Sequence, residues 1–149
     1  MQIQIDTKEI RKLLKKGQST LKNLSPIMRD VAQLMRVSVE KNFEAEGRDK
    51  TGATHTWAPL AKSTQKRRAK YKGEANKAHP ILEMTGRLKQ SINTAHGRDY
   101  AQVYTGVRYG VYHQTGTRKM PARPFMLIPR AELRGIEKFI ASKIEEALK

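Results

Sequence analysis

YGVYHQTGTRKMPARPF, residues 109–125, sets the rings of Tyr109, Tyr112 and His113, two glycines and two prolines around the basic pair Arg118 and Lys119. Gly116 suits a backbone position with positive φ, where a short helical turn would end. Pro121 and Pro124 fix φ near −65° and push Met120 and Arg123 toward extended geometry. The stretch therefore reads as a helical turn, a rigid polar loop, and a strand running from Phe125 to Ile128. Phe125 is expected to be buried where that strand meets a central helix. A rigid, exposed loop is better suited to docking than to tethering, so Tyr109, Tyr112, His113, Arg118 and Arg123 are candidate assembly contacts. Tyr109 and Tyr112, spaced i, i+3, share a face, and core packing is an equal alternative for them.

Immediately upstream, INTAHGRDYAQVYTGV reads as a β-hairpin. Ala101, Val103, Thr105 and Val107 alternate with Tyr100, Gln102 and Tyr104, and the turn falls at residues 96–99. A short helix over residues 85–92 precedes it, capped by Thr85, with Leu88 and Ile92 on one face. The first long helix spans residues 25–46. Ser25 is a good N-cap, Pro26 suits the first turn, and Gly47 is the stop signal. Ile27, Val31, Leu34, Met35 and Phe43 form its expected buried stripe. A shorter basic helix is expected over residues 7–24, broken at Gly17. The last helix covers residues 129–148, with Leu133, Ile136, Ile140, Ile144 and Leu148 on one stripe. Between the first long helix and the hairpin, residues 47–80 lose their apolar period and read as a long, flexible basic loop. The expected class is α+β: one domain over residues 1–149, with a small antiparallel sheet packed by the long central helix and the C-terminal helix.

Three blocks carry a family resemblance. Tyr112-His113-Gln114-Thr115-Gly116-Thr117 is followed by Pro121-Ala122-Arg123-Pro124-Phe125; upstream stands ILEMTGRLKQSI, residues 81–92; earlier still, Trp57-Ala58-Pro59-Leu60 precedes Thr64 and a basic run. In kind and order they resemble the phage virion morphogenesis family, the small tail-completion proteins of Mu-like and related phages. The resemblance implies a structural protein of the virion neck or tail, assembled in the host cytoplasm. It also implies a homo-oligomeric ring that meets neighbouring connector or tail proteins. Contact chemistry at Arg118, Lys119 and Met120 does not carry over, because the family is expected to vary there.

Catalytic signatures are lacking. His55, His79, His96 and His113 show none of the paired spacings that place ligands on one zinc, and each reads as a surface or turn histidine. Ser63 and Ser91 have no neighbouring base signature, and no G-x-S-x-G elbow or phosphate-cradling glycine loop occurs. With Cys 0, disulfide and thiolate chemistry are excluded. No cofactor, metal or enzymatic activity is expected. No apolar run is long enough to span a membrane, and MQIQIDTKEI lacks the pattern of a signal peptide.

Charge is the remaining signal. Lys+Arg 30 against Asp+Glu 14 gives +16, which favours a polyanionic or acidic partner. Lys62, Lys66, Arg67, Arg68, Lys70, Lys72 and Lys77 face only Glu74, and are candidates for contact with phosphate or with an acidic protein surface. The bland alternative is a solvated charge run. Trp57 is either a hydrophobic plug that anchors the loop, the slightly favoured reading, or an interface hot spot. Two functions follow. One is head–tail joining by a structural virion protein; the other is nonspecific nucleic-acid binding, motivated by net charge alone.

Overall fold

The computed structural model describes residues 2–4, 12, 15, 23–72 and 80–149. The basic helix expected over residues 7–24 lies almost wholly outside them. In chain order the elements are β1 (Gln2–Gln4), α1 (Ser25–Glu44), α2 (Lys62–Lys72), α3 (Arg87–Gln90), β2 (Ile92–His96), β3 (Ala101–Thr105), α4 (Gly110–Thr115) and α5 (Arg130–Leu148). The sheet is antiparallel in the order β1-β3-β2. This is the expected α+β class, with α1 packed against β2 and β3 and also against α5.

The hairpin forms where alternation placed it. Thr94 pairs with Val103 and Ile92 with Thr105, and the inner-face residues Ala101, Val103 and Thr105 are buried. The strand β1, which no apolar alternation announces, adds to the other edge of β3, with Ile3 opposite Val103.

Helix α1 departs from expectation at its start. Ser25 is inside the helix rather than capping it, and the Asn23 side chain instead accepts a hydrogen bond from the Ser25 N–H at 2.9 Å. Its buried face runs through Met28, Val31, Ala32, Met35, Ser38, Val39, Asn42 and Phe43. Leu34, expected in this stripe, is 42% exposed. The helix closes in a Schellman motif: the Gly47 N–H reaches the Asn42 carbonyl at 2.7 Å and the Glu46 N–H reaches that of Phe43 at 3.2 Å. Gly47 has φ 103°, and a Cβ there would stand 2.6 Å from the Trp57 ring. Glycine is therefore required both by backbone conformation and by close approach.

Within the expected loop of residues 47–80, the described stretch 47–72 is not structureless. Arg48 bridges to Thr54, the Trp57 N–H bonds the Glu46 carbonyl at 3.1 Å, and the Arg130 N–H bonds that of Lys50 at 3.0 Å. Helix α2 occupies eleven further residues. Lys, Gln, Arg and Ala are good helix formers, so the chain coils without an apolar stripe to announce it. Downstream, α3 is shorter than residues 85–92, because Ile92 already belongs to β2. The Thr85 hydroxyl nevertheless accepts from the Arg87 N–H at 3.3 Å, near its expected capping role.

The strand expected at residues 125–128 does not form. Gln114 Oε1 accepts from the N–H groups of Phe125 (3.1 Å) and Met126 (2.9 Å). Asn42 Nδ2 donates to the carbonyls of Phe125 (2.6 Å) and Leu127 (2.8 Å). Side chains take the bonds a neighbouring strand would have made, which satisfies the buried backbone without a ladder. Phe125 itself is fully buried, with its ring centroid 5.6 Å from that of Phe43. Trp57 meets the other side of Phe43 edge-on at 5.6 Å and donates from Nε1 to the Pro124 carbonyl at 2.9 Å.

Beside this aromatic cluster lies a polar one. Arg48 is 9% exposed; its Nε donates to Asn42 Oδ1 at 2.8 Å, its Nη2 to the Ser38 carbonyl at 2.6 Å, and its Nη1 to Glu132 on α5. The Ser38 hydroxyl also donates to Glu132. Partial burial pushes the Glu132 carboxyl up, but the hydrogen bonds from Arg48 and Ser38, with the charges of Arg48 and Lys41, hold it below its ordinary value.

Two outcomes test this core. Phe125→Ala should cost about 3–5 kcal/mol, the usual penalty for an emptied aromatic site, as measured by urea unfolding; a loss under about 1 kcal/mol would contradict its burial. Glu132→Gln should destabilise the protein by about 1–3 kcal/mol at neutral pH, since it leaves the buried Arg48 short of its charged partner. The range is kept low because Glu132 is 31% exposed and partly screened. A depressed folded pKa stabilises above the ordinary carboxylate value and loses that contribution as pH falls through the folded one. The gap between wild type and variant should therefore close on acidification; a pH-independent gap would contradict the ion pair.

Candidate functional site

The loop of residues 109–125 is locked before it reaches the surface. Helix α4 ends at Gly116 (φ 75°), where a Cβ would lie 2.7 Å from the Ala122 backbone nitrogen. Thr117 and Met120 close a tight turn through two backbone bonds, and the Arg123 N–H returns to the His113 carbonyl at 2.6 Å. The Arg123 guanidinium then crosses to the Trp57 block, donating from Nε to the Ala58 carbonyl at 2.8 Å and from Nη2 to that of Pro59 at 2.7 Å. Arg68, on the inward side of α2, donates from Nη1 to the Pro80 carbonyl at 2.7 Å.

These ties enclose an open groove of about 650 Å³. One wall is Pro59, Leu60, Thr64, Arg67 and Arg68; the second is Leu82, Met84, Thr85 and Leu88; the third is Tyr109, His113, Lys119, Met120, Pro121 and Arg123. Each wall comes from one of the three sequence blocks or the basic run next to them. Its charged lining residues are Arg67, Arg68, Lys119 and Arg123, and no aspartate or glutamate lines it among the described residues. Burial, then the neighbouring charge of Arg68, lowers the pKa of Arg123. Burial, then the charge of Arg123, lowers that of His113, which keeps the imidazole neutral at pH 7. His113 packs edge-on against Tyr109 at 5.9 Å, and its buried Nδ1 has no hydrogen-bond partner among the described residues.

The sequence candidates divide. Trp57 (5% exposed), Arg123 (5%) and Arg68 (7%) are buried, so none is a free surface contact. Trp57 is the hydrophobic plug of the favoured reading, and the two arginines brace the groove. Arg67, Tyr109 and His113 join them in its lining, whereas Tyr112 and Arg118 stand outside it. Tyr112 is 57% exposed and continues into exposed Val111 and Tyr109, an apolar patch along α4. Lys62, Lys66 and Lys70, at i, i+4 and i+8, form an exposed row on α2. Lys72's side chain, Glu74 and Lys77 lie outside the described residues. Sequence reasoning passed over Leu82, Met84, Lys119 and Met120 as lining residues; only the resemblance of residues 81–92 hinted at the first two.

Among the described residues no group of three or more His, Asp or Glu could hold a metal ion, and no helix is long and apolar enough to cross a membrane. The arrangement offers a basic, apolar-walled recess rather than paired acid and base groups.

No solved structure matches the chain. It is 29% identical over 148 residues to the Mu-like prophage FluMu G protein 1 of Haemophilus influenzae, an alignment covering 98% of this chain and 96% of that protein. The model of the phage virion morphogenesis family matches residues 5–148, spanning all three walls of the groove, and the chain belongs to that family.

Proposed function

We propose that this chain is a non-enzymatic structural protein of the virion neck that completes the tail so that head and tail join. Family membership over nearly the whole chain is the observation that carries this reading. Its architecture suits the role: the family blocks converge on a braced surface recess, and α4 with the Tyr109 that precedes it presents Tyr109, Val111 and Tyr112 to the outside. Exposed aromatic side chains flanked by a polar rim are typical of interface cores. In this reading protomers form a ring, with the α4 patch as a contact between copies and the basic surfaces turned to neighbouring connector or tail proteins.

The row Lys62, Lys66 and Lys70 supports a second reading, nonspecific nucleic-acid binding, because an unpaired cation row tracks a phosphate backbone. Arg68 has no part in that row, since it points into the protein.

Electron microscopy of lysates from the phage or induced prophage with the reading frame interrupted tests the first reading. Filled heads and separate, finished-length tails should accumulate, and complemented lysates should recover joined particles. Intact virions from the interrupted frame would refute it. Reversing Lys62, Lys66 and Lys70 to glutamate separates the two readings. Stability should change by no more than about 0.5 kcal/mol, as for other exposed sites. Under the joining reading wild-type DNA affinity is weak and disappears near physiological salt, while the triple variant leaves unjoined heads and tails. Under the second, affinity falls alike for every sequence and the salt slope shrinks by about 0.9 per lost contact.

A further inference from the structure

The solvent face of α5 carries a row of cations that the helix itself disfavours. Arg130, Arg134 and Lys138 are exposed at i, i+4 and i+8. Each successive pair sets like charges side by side, which destabilises a helix. Arg130 also opens the helix, where the positive end of the peptide dipole repels a cation. The far end is reversed in the same way: Glu145 and Glu146 are exposed there, and the last turn has no basic residue. Nearby carboxylates do not offset the row. Glu132 is turned to Arg48 and Ser38, and Asp49 to the Thr51 and Ala53 N–H groups of its own loop. Glu137 flanks the row, yet no ion pair joins it to Arg130, Arg134 or Lys138 among the described residues. Lys50 extends the row: its backbone carbonyl takes the Arg130 N–H at 3.0 Å, and its exposed side chain adds a fourth charge beside the first turn.

This arrangement does nothing for the fold, because α5 is held by its other face through Ile136, Ile140, Ile144 and Glu132. An outside anion resolves it, and two observations say of which kind. Beside the row stand Ala131 and Gly135, both exposed, and a Cβ at Gly135 would meet nothing within 4 Å. The face therefore lacks the aromatic anchors of a protein interface and is low enough for a backbone to approach. The spacing agrees. The three helix cations span about 12 Å, over which one strand of a duplex sets about three or four phosphates. Guanidinium forks also match phosphate oxygens in pairs.

We propose that Lys50, Arg130, Arg134 and Lys138 form a phosphate-contact surface for duplex DNA that is indifferent to base sequence. This surface is separate from the α2 row and from the groove, and it serves under either reading of function. With so few contacts it is a salt-labile site: a fourfold rise in salt lowers affinity about a hundredfold. That fits the weak DNA binding expected of a joining protein.

Fluorescence anisotropy of the purified protein with two unrelated DNA duplexes of equal length, titrated across salt, tests the assignment. Wild type should bind both alike. Arg130→Gln with Arg134→Gln and Lys138→Gln should unfold at the same or a higher temperature, since it removes only repulsive neighbours. Its salt slope should shrink by about 2.7, or about 0.9 per lost cation. Lys50→Gln alone, outside the helix, should shrink the slope by about 0.9. Arg87→Gln with Arg98→Gln and Arg108→Gln removes the same formal charge from other exposed positions and should leave the slope as it is. Unchanged slopes in the α5 and Lys50 variants would overturn the proposal. An equal loss in the Arg87, Arg98 and Arg108 variant would overturn it too, reducing the effect to net charge. Polyglutamate is the competitor: if it displaces the duplex at equal charge concentration, the surface is one for acidic protein and not for nucleic acid, whereas retention of the duplex supports the phosphate assignment.

Discussion

The side-chain amide of Asn42 sits fully buried near the C-terminal end of α1, on a face whose other buried polar side chain is Ser38, and three segments depend on it. Its Nδ2 holds the carbonyls of Phe125 and Leu127, its Oδ1 accepts from Arg48, and its own backbone carbonyl takes the Gly47 N–H that ends α1. An apolar residue there would take the amide donor from the Phe125 and Leu127 carbonyls and the acceptor from Arg48 Nε, losses that are costly in a dry interior. Through Arg48 the same network reaches Glu132, so α1, the chain after it and α5 are pinned at one point. The Phe43, Trp57 and Phe125 rings pack around that point, giving the polar contacts the low-dielectric setting in which they are strong.

The parts of the fold that were legible in the sequence are those where a periodic apolar pattern meets a single packing partner. Alternation in residues 101–107 predicted β3, and the spacing of Ile136, Ile140 and Ile144 predicted the buried face of α5. Helix α1 was legible in extent but not in facing: it packs against both the sheet and α5, so Ser38 and Asn42 are buried while Leu34 is not. The strand expected at residues 125–128 failed for a related reason. Its composition suits a strand, but Asn42 and Gln114 took its hydrogen bonds, and those partners lie 83 and 11 residues from Phe125. Helix α2 gave no apolar signal, because among its described side chains the buried one is the arginine Arg68.

Of the groove, the sequence showed the three blocks and their order but not their convergence. That convergence depends on single side chains whose roles a sequence leaves open. Trp57 could have been plug or hot spot, and its burial against the Phe43 ring with its bond to the Pro124 carbonyl makes it a plug. Arg68 looked like one cation in a run of cations. Coiling the run into a helix separates it: Arg68 turns inward, while Lys62, Lys66 and Lys70 stay in water on another face. One basic stretch thus supplies a structural brace, a groove wall through Arg67, and a solvated row.

Arg123 joins the scaffold to the groove. Its hydrogen bonds fix the backbone at Ala58 and Pro59, which holds Leu60 in the first wall, while its own backbone N–H holds the 116–123 turn that forms the third. A lysine could carry the same charge, but its single ammonium cannot reproduce two directed bonds from one planar fork. The bracing of the groove and part of its positive charge therefore come from one side chain, and neither can be altered there without the other. That coupling explains why an arginine between two prolines, which alone suggests a rigid exposed turn, is found almost wholly buried. The prolines hold the backbone extended so that the guanidinium can reach across to the Trp57 block, and the recess exists because it does.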